Sequence, residues 1–460
     1  MGRLLPLLAF AILAGSCAPR SPPPPLPKDS PPKGPLPKAA LTKAPLPKEL
    51  NIGFWLWHRG EAAPEPPVDV LYYHGGGIRH DRSLPYRVYG ELPTELPPAR
   101  AYWFVFRYDG PGIPPADLAI ALSERVAKLQ QEARRRGIQL AGIQLDIDSP
   151  TRSLPEYAAF LRHVKAALPL GLELSITTLL DWFRPSTAIA AVIDEVDEFV
   201  PQFYDLQNPK DDHPDSAIAA PFDAAKWNPV FQRFGRRFRI GISTFGRARF
   251  VSPTPIYINI RDAEPIHLAL LPDFKASTSY TPARELVLRY EAQRKTTVAY
   301  TEFAPGGAIE FTLATPESIR TAVDQIRQLG GYSGGVIFFR WPVAYEPLAM
   351  PPKDVLRAAK GEPDPSPPTQ LRVVDGHCAA VSCVDLYLED LPRLTPGPTP
   401  FQIHSTIPID YFVPSERGPA RLVGPTQVGF TLPPFCGRHR LFLGRAVTPQ
   451  PATFTLRQNP

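Results

Sequence analysis

Short apolar segments alternate with amphipathic stretches between Asn51 and about Lys360. This alternation is typical of βα units that build a parallel sheet. The clearest predicted helix, Ala116–Arg136, carries apolar residues at helical spacing and ends in three arginines followed by Gly137, as helix C-termini prefer. We predict eight strands, at approximately Ile52–His58, Val68–His74, Ala101–Arg107, Leu140–Asp148, Leu172–Leu179, Glu198–Asp205, Phe238–Phe245 and Gly335–Trp341.

Eight βα units predict an α/β fold, a (β/α)8 TIM barrel spanning residues 49–362. A long excursion, Gly246–Gly330, separates the last two strands. It contains a predicted hairpin across Ala304–Gly307 and the last barrel helix near Pro316–Leu329. Chemistry in such barrels lies at the C-terminal ends of the strands, so candidate site residues are sought there.

The pattern changes after a proline-rich linker that begins at Pro363. Residues 366–460 alternate short apolar strands with turn residues, which predicts a small all-β sandwich of the immunoglobulin or fibronectin kind. Cys378, Cys383 and Cys436 lie in this region. In an oxidising compartment we expect one disulfide, formed by Cys383 or Cys378 with Cys436, and one remaining thiol.

The first 17 residues have the layout of an export signal: Arg3, then the apolar run Leu4–Leu13, then Ala14–Ser16 before Cys17. The apolar run is too short to span a bilayer. The cysteine after small residues resembles a bacterial lipobox, which implies that Cys17 is diacylated and becomes the new N-terminus. The alternative is that the export signal is cleaved without lipidation, which leaves Cys17 as a free thiol. Because Ala18 is not the aspartate that retains lipoproteins in the inner membrane, we expect an outer-membrane lipoprotein, on the periplasmic face or the cell surface.

Residues 18–48 repeat Pro-Leu-Pro-Lys with a ten-residue period, beginning at Pro25, Pro35 and Pro45. This segment has no apolar face to bury, so it predicts a tether. About 30 residues of polyproline II at ~3.1 Å each could reach roughly 90 Å.

The formal net charge of +5 resides in the tether, where six cations and Asp29 together give +5. Arg3 adds one further charge, so the chain from Glu49 onward carries −1. A nearly neutral folded part does not favour nucleic acid as a partner. The lysines fit attraction to anionic headgroups or acidic polymers, although a solvated linker needs no partner.

The fourth predicted strand carries Gln144, Asp146 and Asp148 at alternate positions. Alternate residues share one face of a strand, so two carboxylates about 6–7 Å apart would face the barrel mouth. Carboxylates that close differ in proton affinity, which suits an acid and an ionised partner. The structural alternative is that both cap loops or pair with arginines such as Arg107 or Arg152.

Three strand ends resemble those of the family 18 glycoside hydrolases, the chitinase-like barrels. Gly142–Pro150 is similar to that family's Gly-x-Asp-x-Asp-x-Glu strand, Gln202–Asp205 to its tyrosine-aspartate pair, and Gly334–Trp341 to its glycine-led strand ending in tryptophan. The sequence resembles even more closely the bacterial domain of unknown function 3142, whose fourth strand is followed by a stretch like Pro150-Thr151-Arg152. The resemblance covers residues 50 to about 350.

The resemblance implies a retaining, substrate-assisted mechanism. Asp148 would donate the proton, Asp146 would orient the substrate's acetamido group, Tyr204 would hydrogen-bond that group, and Trp341 would form the floor of the sugar subsite. This chain has Gln144 where the family has aspartate, and aspartate rather than glutamate at 148. The candidate substrate-binding residues are Gln144, Gln202, Asp205, Trp341, Arg107 and Asp181.

We therefore expect a monomeric, lipid-anchored, glycoside hydrolase-like protein that acts on an envelope or environmental polysaccharide, one that could contain amino sugars. The alternative is a non-catalytic lipoprotein that binds carbohydrate or cell wall. A third class is an assembly lipoprotein that docks a partner through residues 366–460. The sequence contains no phosphate-binding or dinucleotide motif, and it implies no cofactor and no metal.

Overall fold

The structure, a computed structural model, describes residues 50–57, 67–79, 86–204, 222–251, 264–298, 301–343, 346, 348–363, 368–379, 381–416, 418–437 and 440–458. The chain divides into two compact units, residues 1–43 and 44–460, and every described residue belongs to the second. The export signal, Cys17 and the tether lie outside the described residues and stay predictions. Among the described helices, none has the length and apolar character needed to cross a membrane.

The first half of the folded part alternates strands and helices. Its strands are β1 (Ile52–Leu56), β2 (Val68–Arg79), β3 (Arg87–Gly90), β4 (Ala99–Tyr108), β5 (Leu140–Ile147), β6 (Glu173–Thr178), β7 (Glu198–Pro201) and β8 (Arg237–Ser243). Its helices are α1 (Leu118–Arg135), α2 (Leu154–Ala167), α3 (Ile189–Asp194) and α4 (Ala224–Gln232), with 3₁₀ turns at Thr151–Ser153 and Leu180–Phe183.

The second half contains an insertion, the last barrel strand and the C-terminal strands. The insertion and barrel end comprise β9 (Arg247–Val251), α5 (Pro265–Ala269), β10 (Phe274–Tyr280), β11 (Leu286–Ala292), β12 (Thr296–Val298), β13 (Thr301–Phe303), β14 (Ala308–Leu313), α6 (Pro316–Ile326), β15 (Ser333–Trp341) and α7 (Pro352–Lys360). The C-terminal strands are β16 (Gln370–Asp375), β17 (Ser382–Glu389), β18 (Leu394–Thr395), β19 (Thr399–Ser405), β20 (Tyr411–Pro414), β21 (Arg421–Gly424), β22 (Gln427–Leu432), β23 (Phe435–Cys436), β24 (Leu441–Thr448) and β25 (Phe454–Gln458).

Eight parallel strands close into a barrel in the order β1-β15-β8-β7-β6-β5-β4-β2, with β2 pairing back onto β1. All eight lie where the apolar pattern predicts strands, so the (β/α)8 prediction is confirmed. Helix α1 follows the same logic, because Leu118, Leu122, Val126 and Leu129 are buried at the predicted spacing. The helix ends at the arginines, and Gly137 follows with a positive φ of 68°.

The barrel interior is filled rather than open at its N-terminal end. Glu198, at the start of β7, is fully buried and accepts hydrogen bonds from Arg237 Nε at 2.8 Å and Arg239 Nε at 2.9 Å. Burial alone would raise the pKa of Glu198, but Arg239 and Arg237 outweigh it and hold the pKa below its usual range. This ion cluster closes the end of the barrel opposite the predicted mouth.

The insertion between β8 and β15 forms a four-stranded antiparallel sheet in the order β10-β11-β14-β9. The predicted hairpin across Ala304–Gly307 is wrong in position. Strand β12 pairs with β13, and β11 pairs with β14. Residues 304–307 therefore form a turn between β13 and β14, which are not paired with each other. The last barrel helix, α6, lies within its predicted range.

The C-terminal strands form two four-stranded antiparallel sheets, β16-β17-β24-β20 and β21-β22-β19-β25. Residues from both sheets share one apolar core, which includes Leu386, Leu443, Ile403 and Phe430. The predicted β-sandwich is therefore confirmed as an architecture. The exact domain boundaries stay predictions.

The sandwich and the insertion are packed against each other. Ile266 of α5 belongs to the apolar core of the sandwich, and Cys436 of β23 belongs to that of the insertion. Tyr290 donates a buried hydrogen bond to the Pro434 carbonyl at 2.8 Å, and Arg393 Nη2 donates one to the Ala314 carbonyl at 2.7 Å. The two regions therefore stabilise each other.

The disulfide differs from the expected pairing with Cys436. Cys378 and Cys383 are bonded to each other, while Cys436 is a buried thiol. Cys378 lies in the short connection between β16 and β17, and Cys383 is the second residue of β17. Cys436 lies on β23, and burial raises the pKa of its thiol to about 11.

Candidate active site at the barrel mouth

The fourth barrel strand, β5, places its polar residues on the interior face. Ile143, Leu145 and Ile147 point outward into the core between strands and helices. Asp146 points inward and is 3% exposed, whereas the Asp148 side chain, just beyond the strand, is 50% exposed. The two acids thus differ sharply in their access to solvent.

Arg107, at the end of the neighbouring strand β4, connects these acids. Its Nη1 donates to Asp146 Oδ2 at 2.7 Å, and its Nε donates to Asp109 Oδ1 at 2.6 Å. Its Nη2 lies 3.6 Å from Asp148 Oδ2, which is beyond hydrogen-bonding distance. Burial alone would lower the pKa of Arg107, but the three carboxylates together raise it above its ordinary value. The predicted alternative that the acids pair with Arg107 is therefore confirmed.

Asp146 is held through both carboxylate oxygens. Thr177 Oγ1, on β6, donates to Oδ1 at 2.7 Å, while Arg107 occupies Oδ2. Contact with a substrate's acetamido group would require this buried carboxylate to turn away from both donors. In the observed conformation, Asp146 is a fixed charge that positions Arg107.

Aromatic rings surround the arginine. Trp57, just after β1, stacks on the His74 imidazole with centroids 4.3 Å apart, and the guanidinium carbon of Arg107 lies 5.8 Å from the centre of the Trp57 ring system. Phe339 meets the edge of Trp57 at 5.6 Å and stacks on Tyr204 at 4.7 Å. Trp57 and Phe339 are both half-buried, so this aromatic layer presents partial faces toward the mouth.

His74 is neutral in this setting. Burial lowers the pKa of His74 below its ordinary value, and the hydrogen bond from Nδ1 to the Trp57 carbonyl at 3.3 Å offsets this only in part. Its Nε2 is buried and has no hydrogen-bond partner among the described residues. We therefore assign His74 to the support of Trp57.

Trp341 does not form the floor of the mouth, contrary to the prediction. It is 3% exposed and packs edge-on against Phe54 at 5.4 Å, in the layer between strands and helices. The β1–β15 register shifts here, because Trp55 pairs with Phe339 but Leu56 pairs with Trp341. Phe339 faces inward as Ile337 does, and the extra residue after it reverses the alternation, so Trp341 faces outward.

Gln144 is also not a substrate-binding residue. It is fully buried; its Oε1 accepts from Trp55 Nε1 at 2.7 Å, and its Nε2 donates to Ser175 Oγ at 3.1 Å. An amide can donate and accept at once, so Gln144 links three barrel strands beneath the mouth. A sugar could not reach it without displacing the Trp55 ring.

The remaining candidates are distributed unevenly. Tyr204 is mostly buried under Phe339, and Gln202 is buried beside β8. Asp181 accepts a hydrogen bond from Thr151 Oγ1 at 2.7 Å and joins two loops at the rim. Asp205 lies outside the described residues.

Sequence reasoning did not identify Thr177 and Phe339. Both occupy inward positions of predicted strands, so alternation from Ser175 and Ile337 could have indicated them. The described residues contain no group of three His, Cys, Asp or Glu side chains able to hold a metal ion.

These features define a class: a closed (β/α)8 barrel whose C-terminal mouth carries an arginine between carboxylates, bordered by aromatic rings. The chain belongs to the family described as Domain of unknown function (DUF3142), whose model matches residues 99–344.

Solved structures provide three further comparisons. The chain is similar to a chitinase from Chromobacterium violaceum ATCC 12472 (16% identity, 68% of this chain and 98% of that chain, TM-score 0.43). It is similar to the Bacillus cereus spore cortex-lytic enzyme SleL (16% identity, 68% and 74%, TM-score 0.43). It is also similar to the Ostrinia furnacalis Group IV chitinase, in complex with allosamidin (11% identity, 68% and 100%, TM-score 0.43). No curated protein matches the chain.

Proposed function

We propose that this protein is a glycoside hydrolase that binds an envelope or environmental polysaccharide across the barrel mouth and cleaves it. The observation that carries the proposal is the pairing of an exposed Asp148 with a buried, fixed Asp146 at the end of β5. Glycoside hydrolases use a pair of carboxyl groups, one of which donates a proton to the glycosidic oxygen. The half-buried rings of Trp57 and Phe339 offer faces on which a sugar could stack.

Asp148 is the better candidate for the proton donor. Arg107 lies closer to Asp146 and Asp109 than to Asp148, so a bound sugar can displace Asp148 at the least cost. To donate a proton, Asp148 must be neutral, which a nearby guanidinium disfavours. A sugar that covers the carboxyl and excludes water favours the neutral form.

Asp146 contributes differently from the role that the resemblance implies. Because it is buried and bonded through both oxygens, it acts by holding Arg107 and Thr177 at the mouth. Substrate-assisted cleavage of an amino sugar therefore requires Asp146 to rotate when substrate binds. An amino-sugar polymer remains the first substrate to test.

Replacing Asp148 with asparagine tests the proposal. The purified, unlipidated chain is incubated with a panel of amino-sugar and neutral polysaccharides, and released ends are measured. We expect D148N to lower turnover by about 100-fold or more, since general acid catalysis contributes about 10²–10⁴-fold. The matched control is D324N, because Asp324 is also an exposed carboxylate paired with an arginine, at 2.9 Å, but lies on α6. Equal turnover by D148N and the native chain would exclude Asp148 as the acid.

A second candidate function is non-catalytic binding of carbohydrate or cell wall. It is favoured by the arrangement of Arg107, which lies within ion-pair distance of both Asp146 and Asp148. Retention of a glycan by the native chain without any cleavage across the panel would establish this second function in place of hydrolysis.

We also propose that the chain is exported and carries a lipid at Cys17, because Cys17 directly follows the small residues that end the export signal. The test is metabolic labelling with a radioactive fatty acid. The native chain should carry label and sediment with outer membranes, and C17S should carry none and be released.

A further inference from the structure

A cavity of about 750 Å³ lies on the barrel wall at the starts of β1, β2 and β4, beside α7. This is the opposite end of the barrel from Asp148. One part of its lining is apolar: Leu50, Ile52, Pro67, Val68 and Leu356. The rest is charged, with five cations against two carboxylates: Arg100, Arg327, Lys353, Arg357 and Lys360 against Asp69 and Glu362.

The arginines of this cavity are already paired. Arg100 lies 3.3 Å from Asp69, Arg327 lies 2.9 Å from Asp324, and Arg357 lies 3.3 Å from Asp354. Among the described residues, the charges of this lining without an ion-pair partner are then the two lysines of α7 and the carboxylate of Glu362, a net charge of +1.

Lys353 and Lys360 are exposed, and none of the ion pairs in the described part of the chain includes them. They are seven residues apart, which places them on the same face of α7 about 10 Å apart along its axis. Two ammonium groups at that spacing can approach one phosphate group from either side of the cavity opening.

The chain enters the folded part at Leu50, which lines this cavity. The segment immediately before it is the tether, whose formal charge is +5. In the sequence, the basic tether thus directly precedes the segment that begins to line this cavity.

We propose that this cavity binds the headgroup of an anionic phospholipid of the membrane surface. The lysines pair with the phosphate, and the apolar wall receives the glycerol and the first methylenes. Binding there turns the barrel mouth away from the membrane, toward a polysaccharide. The proposal concerns a different end of the barrel from the hydrolytic site and does not depend on catalysis.

The test uses the unlipidated chain, residues 17–460 carrying C17S, in co-sedimentation with vesicles. Vesicles of phosphatidylcholine are compared with vesicles containing about one-third phosphatidylglycerol. We expect binding only to the anionic vesicles. A lysine near such a surface contributes about fivefold, so the K353Q/K360Q variant should bind roughly 25-fold more weakly.

The control variant K128Q/K275Q removes the same charge from exposed lysines on α1 and β10, and should bind like the native chain. Glycerol 3-phosphate in excess should displace the native chain. An equal loss in both variants would assign binding to general charge and overturn the proposal. Unchanged binding by K353Q/K360Q would also overturn the proposal. So would binding to soluble polyphosphate, but not to vesicles, that is weakened by the same two lysine substitutions.

Discussion

Arg107 holds the mouth together, and removing it tests this arrangement most directly. Arg107→Met keeps the apolar stem and leaves the Asp146 carboxylate with Thr177 as its remaining partner at 2.7 Å. Breaking a buried ion pair costs about 3–5 kcal/mol, because a charge is left without compensation. The Arg107 side chain is 35% exposed, so water replaces part of the lost interaction. We therefore expect a loss of about 2–3 kcal/mol.

The measurement is the free energy of unfolding in urea, combined with a double-mutant cycle. Asp146→Asn removes the charge but can keep the hydrogen bond from Thr177. In R107M/D146N no buried charge remains unpaired, so the two losses should not add, and we expect a coupling of about 1.5–3 kcal/mol. Arg152→Met, at an exposed arginine nearby, should change stability by no more than about 0.5 kcal/mol. Strictly additive effects of R107M and D146N would refute the ion-pair reasoning.

Two further predictions concern Glu198, at the N-terminal end of the barrel, and the C-terminal sandwich. E198Q should lower the free energy of unfolding at neutral pH by about 3 kcal/mol, since it leaves Arg239 without its buried partner. The pKa of Glu198 is lower in the folded state than its value of about 4.3 in the unfolded state. The stability that Glu198 contributes is therefore fully present above about pH 4.3 and is lost as the pH falls through the folded-state pKa. The free energy of unfolding of E198Q, measured in urea, should lack this loss at acidic pH. Deleting residues 364–460 should expose Ile266 and the apolar core of the insertion, so the shortened chain should aggregate in size-exclusion chromatography. A shortened chain that stays soluble and unfolds cooperatively would contradict the shared core.

Local periodicity was sufficient to predict the barrel. The alternation of apolar and polar residues located all eight strands, and it placed Gln144 and Asp146 on the inner face. Helical spacing located α1 with nearly its observed bounds. These features depend on near neighbours in the chain, so the sequence alone contains them.

The contacts that decide the site are not local. Arg107 and Asp146 are 39 residues apart, and the pattern offered Arg107 only as one of two possible partners. The shift that turns Trp341 outward arises from pairing between β1 and β15, which no spacing within β15 reveals. The disulfide was mispredicted for the same reason, because the position of Cys436 depends on how β23 packs against the insertion.

The place where the chain enters the barrel has a mechanical consequence. β1 is hydrogen-bonded to β15 on one side and to β2 on the other, in parallel with both. A force applied at the N-terminal end of the folded part, as the proposed lipid anchor would apply it, acts along β1 and loads these bonds together in shear rather than one by one. If the proposed anchor and the proposed polysaccharide ligand both exist, the barrel should resist the force between them without opening from its N-terminal end.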